Sequence, residues 1–166
     1  CHGTYDLLSA LKTKLEGENG IDMSSREVMV TNGANQAYAS ALMALCDPGD
    51  EVVLFAPFYF SHVAAMKLLG LHPLVLPCDD AGLPDVDALR AALRRPDSRI
   101  RAVTMVTPSN PSGAVCDAER SAALVRECAA ARAWLVVDEA YEHFTHEGAM
   151  HTSPAWDANE LADCVV

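Results

Sequence analysis

Positive charge is what this sequence is shortest of. Twelve lysines and arginines face 23 aspartates and glutamates over 166 residues, a formal net charge of −11. An acidic chain with scattered cations repels phosphate backbones and anionic headgroups, which argues against a nucleic-acid or membrane surface. Long apolar runs are missing too, since none approaches the ~20 residues of a membrane span, and no basic start leads into an apolar core as in a signal peptide. The expected location is cytoplasmic, although the chain opens at Cys1 and reads as cut at its start. Cysteines stand at 1, 46, 78, 116, 128 and 164 with no C-x-x-C pair, and Cys46 and Cys128 fall in apolar helical patterns, so they read as reduced, buried small hydrophobes rather than a disulfide framework. His143, His146 and His151 cluster in sequence, but no cysteine lies near enough to complete a tetrahedral set, so no metal site is expected. The chain has no Gly-Lys pair and no G-x-G-x-x-G run, which removes the P-loop hydrolases and the dinucleotide-binding folds.

With 51% of residues hydrophobic, the chain can bury a core of about one domain. Tyr5 to Glu18 carries Leu7, Leu8, Leu11 and Leu15 at helical spacing and stops at Asn19-Gly20. A β-branched run from Glu27 to Thr31 predicts a strand, and a small-residue helix follows from Ala34 to about Leu45. Asp47-Pro48-Gly49-Asp50 is a turn. The alternation then continues: strand 51–55, aromatic loop 56–60, helix 61–69, strand 74–77, helix 85–93, strand 101–106, loop 107–113, helix 117–131 and strand 135–138. Asp163 to Val166 looks like a strand just beginning. Strands alternating with helices give a mainly parallel sheet covered on both faces, a three-layer α/β/α unit, because each parallel pair needs a crossover of a dozen or more residues.

In such a sheet, ligands bind outside the carboxyl ends of the strands. The loops at 32–35, 56–60 and 107–113 belong there, as do Asp138 and Tyr141 after the unbroken apolar strand Leu135-Val136-Val137. Together they suit a flat, anionic, aromatic ligand. Gly33-Ala34 before a helix leaves amides open to a phosphate, Tyr59 offers a ring face, Asn110 a side-chain hydrogen bond, and Asp138 a negative charge. Each part has a plainer alternative: packing turn, core aromatic, bare Asn-Pro turn, solvated acid. Their order along one sheet favours a site.

The segments Val30-Thr-Asn-Gly-Ala-Asn-Gln36, Asp47-Pro-Gly-Asp-Glu-Val-Val53, Pro57-Phe-Tyr59, Thr107-Pro-Ser-Asn-Pro-Ser-Gly113 and Val137-Asp-Glu-Ala-Tyr141 resemble, in order, the large domain of the class I/II aminotransferases. These are fold-type I enzymes that use pyridoxal 5′-phosphate (PLP). The resemblance implies that residues 1–166 are an incomplete large domain without the C-terminal small domain, from a protein that works as a homodimer on an amino acid and a 2-oxo acid. It implies that Asp138 pairs with the protonated ring nitrogen, that Asn110 and Tyr141 bond the phenolic oxygen, and that Tyr59 stacks on the ring. Gly33 and Ala34 amides, with the Asn35 side chain, would hold the phosphate, and Asp138 and Tyr141 would be the catalytic pair. It further implies cis peptides before Pro57 and Pro111. The lysine that anchors PLP stands in a Ser-x-Ser-Lys segment that matches none of Lys12, Lys14 and Lys67, so the chain is expected to be inactive alone. Aromatic or methionine aminotransferases of the plant type look closest, with aspartate/prephenate enzymes near. A carbon–sulfur lyase on the same scaffold and a truncated pseudo-enzyme are the alternatives.

Overall fold

The computed structural model describes residues 2–146, 148–154 and 164–166. Four strands form one sheet in the order β2-β1-β3-β4, all parallel: β1 Glu51–Ala56, β2 His72–Pro77, β3 Ile100–Val106 and β4 Trp134–Asp138. The helices are α1 Tyr5–Gly17, α2 Gly33–Leu45, α3 Phe60–Leu68, α4 Val86–Leu93 and α5 Ala118–Ala131. The expected α/β/α layering is therefore present, because successive strand residues feed opposite cores. Val52, Leu54, Ala102 and Val136 face Tyr38 and Leu42 of α2 and Met66 of α3. Val53, Phe55, Val103, Met105 and Leu135 face Leu89 of α4 and Leu124, Val125 and Cys128 of α5.

Strand β3 is buried from Ala102 to Met105, as a strand covered on both faces requires. Its one polar side chain there, Thr104, is matched by the Tyr38 hydroxyl at 2.8 Å, so neither oxygen is left without a partner in the core. Burial pushes the Tyr38 phenol well above its ordinary value, and that group stays neutral. The helix ends follow from the sequence as well. Asp85 caps α4 through the amides of Asp87 and Ala88, both at 2.9 Å, and Asp117 caps α5 through the Arg120 amide at 2.7 Å. Helix α5 ends on Arg132 in the left-handed region, φ 56°.

One expectation needs correction. Residues 27–31 form no strand: Val30 N–H bonds the His2 carbonyl at 2.9 Å, but among the described residues no strand pairs with them, and β-branched residues without a partner remain extended coil. Helix α1 forms where expected, yet none of its residues is buried; Leu15 touches the core while Leu7 stays exposed. At the chain's end Val165 bridges Leu135 in parallel and Val166 bonds both Leu135 and Val137, so the incipient strand runs along β4; Asp163, its first expected residue, lies outside the described residues.

Candidate functional site

Strand order decides where a ligand can sit. The chain leaves β1 for β2 on one side and then crosses β1 to reach β3 and β4, so the direction of winding reverses between β1 and β3. Loops leaving the carboxyl ends of those strands diverge there and open a crevice. A cleft of about 220 Å³ lies at this end of the sheet, lined by Asn32, Gly33, Ala34, Asn35, Tyr59, Val106, Asn110, Asp138, Ala140 and Tyr141. All the residues picked from the sequence, Gly33, Ala34, Asn35, Tyr59, Asn110, Asp138 and Tyr141, are among them.

Each wall has a local cause. Helix α2 points its N-terminus at the cleft, and its N-cap residue Asn32 makes no side-chain cap bond, so the amides after Gly33 are not taken by that residue. Gly33 itself has φ +77°, and a Cβ built on it would meet nothing within 4 Å, which leaves an open cradle. The loop after β1 turns at a cis Ala56–Pro57 bond and delivers Tyr59 as the residue before α3. The loop after β3 carries cis bonds at Thr107–Pro108 and Asn110–Pro111; the first was not anticipated. That loop is fixed from inside: buried Thr107 accepts the Cys116 amide on its hydroxyl at 3.0 Å, Thr107 N–H bonds the Asp138 carbonyl at 3.0 Å, and Gly113 N–H bonds Ser109 O at 2.8 Å.

Asp138 stands at the base of the cleft with its side chain 15% exposed. Burial works against its charge, but the His62 hydrogen bond, the Ala140 amide at 3.1 Å and the His62 charge together outweigh it and hold the carboxyl below the usual aspartate range. His62 Nε2 lies 3.1 Å from Asp138 Oδ2, and the imidazole is almost wholly buried. Its ring packs on Tyr38 at 4.1 Å and meets Tyr59 edge-on at 5.4 Å. Sequence reasoning missed His62. A lone histidine in an apolar helix reads as core, and the one available signal is its position one helical turn after Tyr59, which brings it back toward the same cleft.

None of Lys12, Lys14 and Lys67 lines the cleft. Lys12 pairs with Glu27 and Lys14 with Glu142, while Lys67 is exposed in the last turn of α3. The clustered histidines are divided among separate partners: His151 bonds Glu139 at 2.9 Å, and His143 lies 3.6 Å from Glu142. Cys46, Cys78, Cys116, Cys128 and Cys164 are free. Among the described residues, no helix is long and apolar enough to cross a membrane.

Residues 1–166 match the family model for aminotransferase class I and II. An aromatic aminotransferase of Arabidopsis thaliana is 36% identical over 151 residues, which are 90% of this chain and 38% of that protein. A probable aspartate/prephenate aminotransferase of Thermus aquaticus is 34% identical over 160 residues, 95% of this chain and 41% of the relative. Among solved structures, the N-succinyldiaminopimelate aminotransferase from Mycobacterium tuberculosis superposes with a TM-score of 0.86 at 35% identity, over 99% of this chain and 43% of that one. The chain thus spans about two fifths of the length of the proteins it matches.

Proposed function

The chain belongs to the class I and II aminotransferases, and from that premise we propose that its cleft holds PLP and serves amino-group transfer between an amino acid and a 2-oxo acid in a homodimeric parent protein. Residues 1–166 are then part of the large, cofactor-holding domain, and a smaller domain belongs to the same parent protein. The observation that carries this reading is Asp138: a carboxylate kept charged at the floor of a cleft, against the cost of burial, by His62 and the Ala140 amide. A carboxylate held ionised at the cleft wall, with His62 on Oδ2 and the Ala140 amide on Oδ1, suits a ligand that brings a positive charge to it.

The residues present fit PLP. The first turn of α2, where Asn32 makes no side-chain cap bond, is an anion site for a phosphate through the Ala34 amide and the Asn35 side chain at the cleft wall, whereas the Gly33 N–H is already given to the Thr31 carbonyl at 2.9 Å. Asp138 supplies the counter-charge for a protonated ring nitrogen, Tyr59 a ring face for stacking, and Asn110 and Tyr141 the polar contacts for the phenolic oxygen. When bound, PLP supplies the electron sink for chemistry at the substrate Cα. The chain's own contribution is to fix the ring's charge and orientation: Asp138 holds its proton-bearing nitrogen, and His62 holds Asp138 ionised. The relatives' names span aromatic, aspartate/prephenate and succinyldiaminopimelate enzymes, which supports the shared transfer rather than one amino acid.

The test is PLP absorbance and amino-group transfer to a 2-oxo acid in the full-length protein, with Asp138→Ala beside it. Transfer in the wild type and its loss in the variant are expected. A full-length protein that binds no PLP, or an Asp138→Ala variant with undiminished transfer, overturns the proposal.

A further inference from the structure

Tyr141 lines the cleft from the loop after β4, and its own packing does not explain what holds it there. The side chain is 43% exposed, and the ring it meets edge-on at 5.8 Å, Phe144, is 66% exposed. Within residues 1–166 so thin a contact does little to fix a loop side chain. Glu142 N–H on the Glu139 carbonyl at 2.9 Å and Phe144 N–H on the Tyr141 carbonyl at 2.7 Å close the turn locally, and the carboxylates on either side of Tyr141 tie that turn to the rest of the chain. Glu139 accepts a hydrogen bond from His151 Nε2 at 2.9 Å, with the two side chains 18% and 7% exposed. Glu142 accepts Lys14 Nζ on Oε1 and Asn19 Nδ2 on Oε2, the latter at 2.8 Å. The same Asn19 amide also donates to the buried Ser153 hydroxyl at 2.9 Å.

These contacts close on themselves. From Glu139 the path crosses to His151, follows the chain to Ser153, crosses Asn19 to Glu142, and returns through Tyr141. We infer that this ring of contacts positions Tyr141 in the cleft, with His151, Asn19 and Lys14 as positioning residues for the phenol. Charge-assisted bonds to mostly buried carboxylates are the strong kind and escape most salt screening, so they suit a hinge-free mount for a side chain that packing does not hold. Lys14 and Asn19 come from the end of α1 and the turn after it, which gives that poorly buried helix a task at the site. The inference rests on the proposed role of Tyr141 beside PLP.

The experiment uses the full-length protein and compares His151→Ala, Asn19→Ala, the conservative His151→Gln, and Tyr141→Phe as the benchmark. Three quantities are read: amide hydrogen exchange of residues 139–146 without cofactor, the pH midpoint of the bound cofactor's visible absorbance, and kcat against KM. The two alanine variants are expected to exchange faster, to displace the midpoint in the direction that Tyr141→Phe does, and to lower kcat by about tenfold or more with KM less affected. His151→Gln, which keeps a donor near the Nε2 position, is expected to restore all three. Faster exchange and a lower melting temperature with midpoint and kcat unchanged make the ring structural only, and overturn the inference. An unaltered midpoint in Tyr141→Phe itself overturns the role assigned to Tyr141, a separate failure from the first. Should His151→Ala not fold, Asn19→Ala, on the opposite side of the ring, gives the same readings.

Discussion

Replacing His62 with phenylalanine removes one hydrogen bond from Asp138 and keeps most of the packing. The six-membered ring still fills a site that is 1% exposed, still lies on Tyr38 and still meets the edge of Tyr59. Ring contacts of this kind contribute about 0.5–1.5 kcal/mol beyond burial and are retained. What disappears is the Nε2 donor 3.1 Å from Asp138 Oδ2. A hydrogen bond to a charged group contributes about 1.5–3 kcal/mol, and a neutral one about 0.5–1.5 kcal/mol. His62→Phe is therefore expected to lower unfolding stability at neutral pH by about 1.5–3 kcal/mol, and in an Asp138→Asn background by only about 0.5–1.5 kcal/mol. The assay is a double-mutant cycle by urea unfolding of the full-length apoprotein, with midpoints displaced and m-values unchanged. A coupling of about 1–2 kcal/mol is expected, and one within about 0.5 kcal/mol of zero would show that Asp138 draws nothing from His62.

The depressed Asp138 pKa fixes a pH window: its contribution is complete above the unfolded value of 3.8 and is lost as pH falls through the lower folded value. Stability differences between wild type and Asp138→Asn are thus expected to be level above that pH and to shrink below it in acid titrations of the melting temperature; a difference that grows in acid has the wrong sign. Gly33→Ala meets no steric obstacle but places a side chain at φ +77°, so a cost of about 1–2 kcal/mol is expected, with weaker PLP binding by titration. An undisturbed variant means the cradle does not depend on that backbone. Leu124→Ala, at a fully buried position between α5 and the sheet, is expected to cost about 2–5 kcal/mol by chemical denaturation without altering the affinity for PLP.

The runs that became β1, β3 and β4 were legible because the core of each is apolar or β-branched without alternation, as a doubly covered strand requires. Residues 27–31 have the same local look and failed, since strand character is settled by a neighbour and nothing local to Val28 or Val30 says whether one exists. At the site, Gly33, Tyr59, Asn110 and Asp138 were readable because each sits at the start of a helix, at the carboxyl end of a strand or in the loop that follows one. His62 was not. Its meaning lies in a contact with Asp138 at a separation of 76 residues, and in sequence it is one more member of an apolar helix. The same holds for the bond from Tyr38 to Thr104, across 66 residues.

Those separations also concern time. The cleft's floor joins residues 76 apart, and the mount of Tyr141 joins residues 128 and 134 apart. None of these contacts can form within a single helix and its turn, since each waits for segments far apart in sequence to meet, and parallel pairing closes long loops before it gains contacts. The anion cradle at the head of α2 is local and can exist early, whereas the charged floor and the phenol's mount cannot. During synthesis the chain therefore acquires a place for a phosphate long before it acquires a place for the ring, and any ligand that needs both can engage only a chain whose sheet is already built.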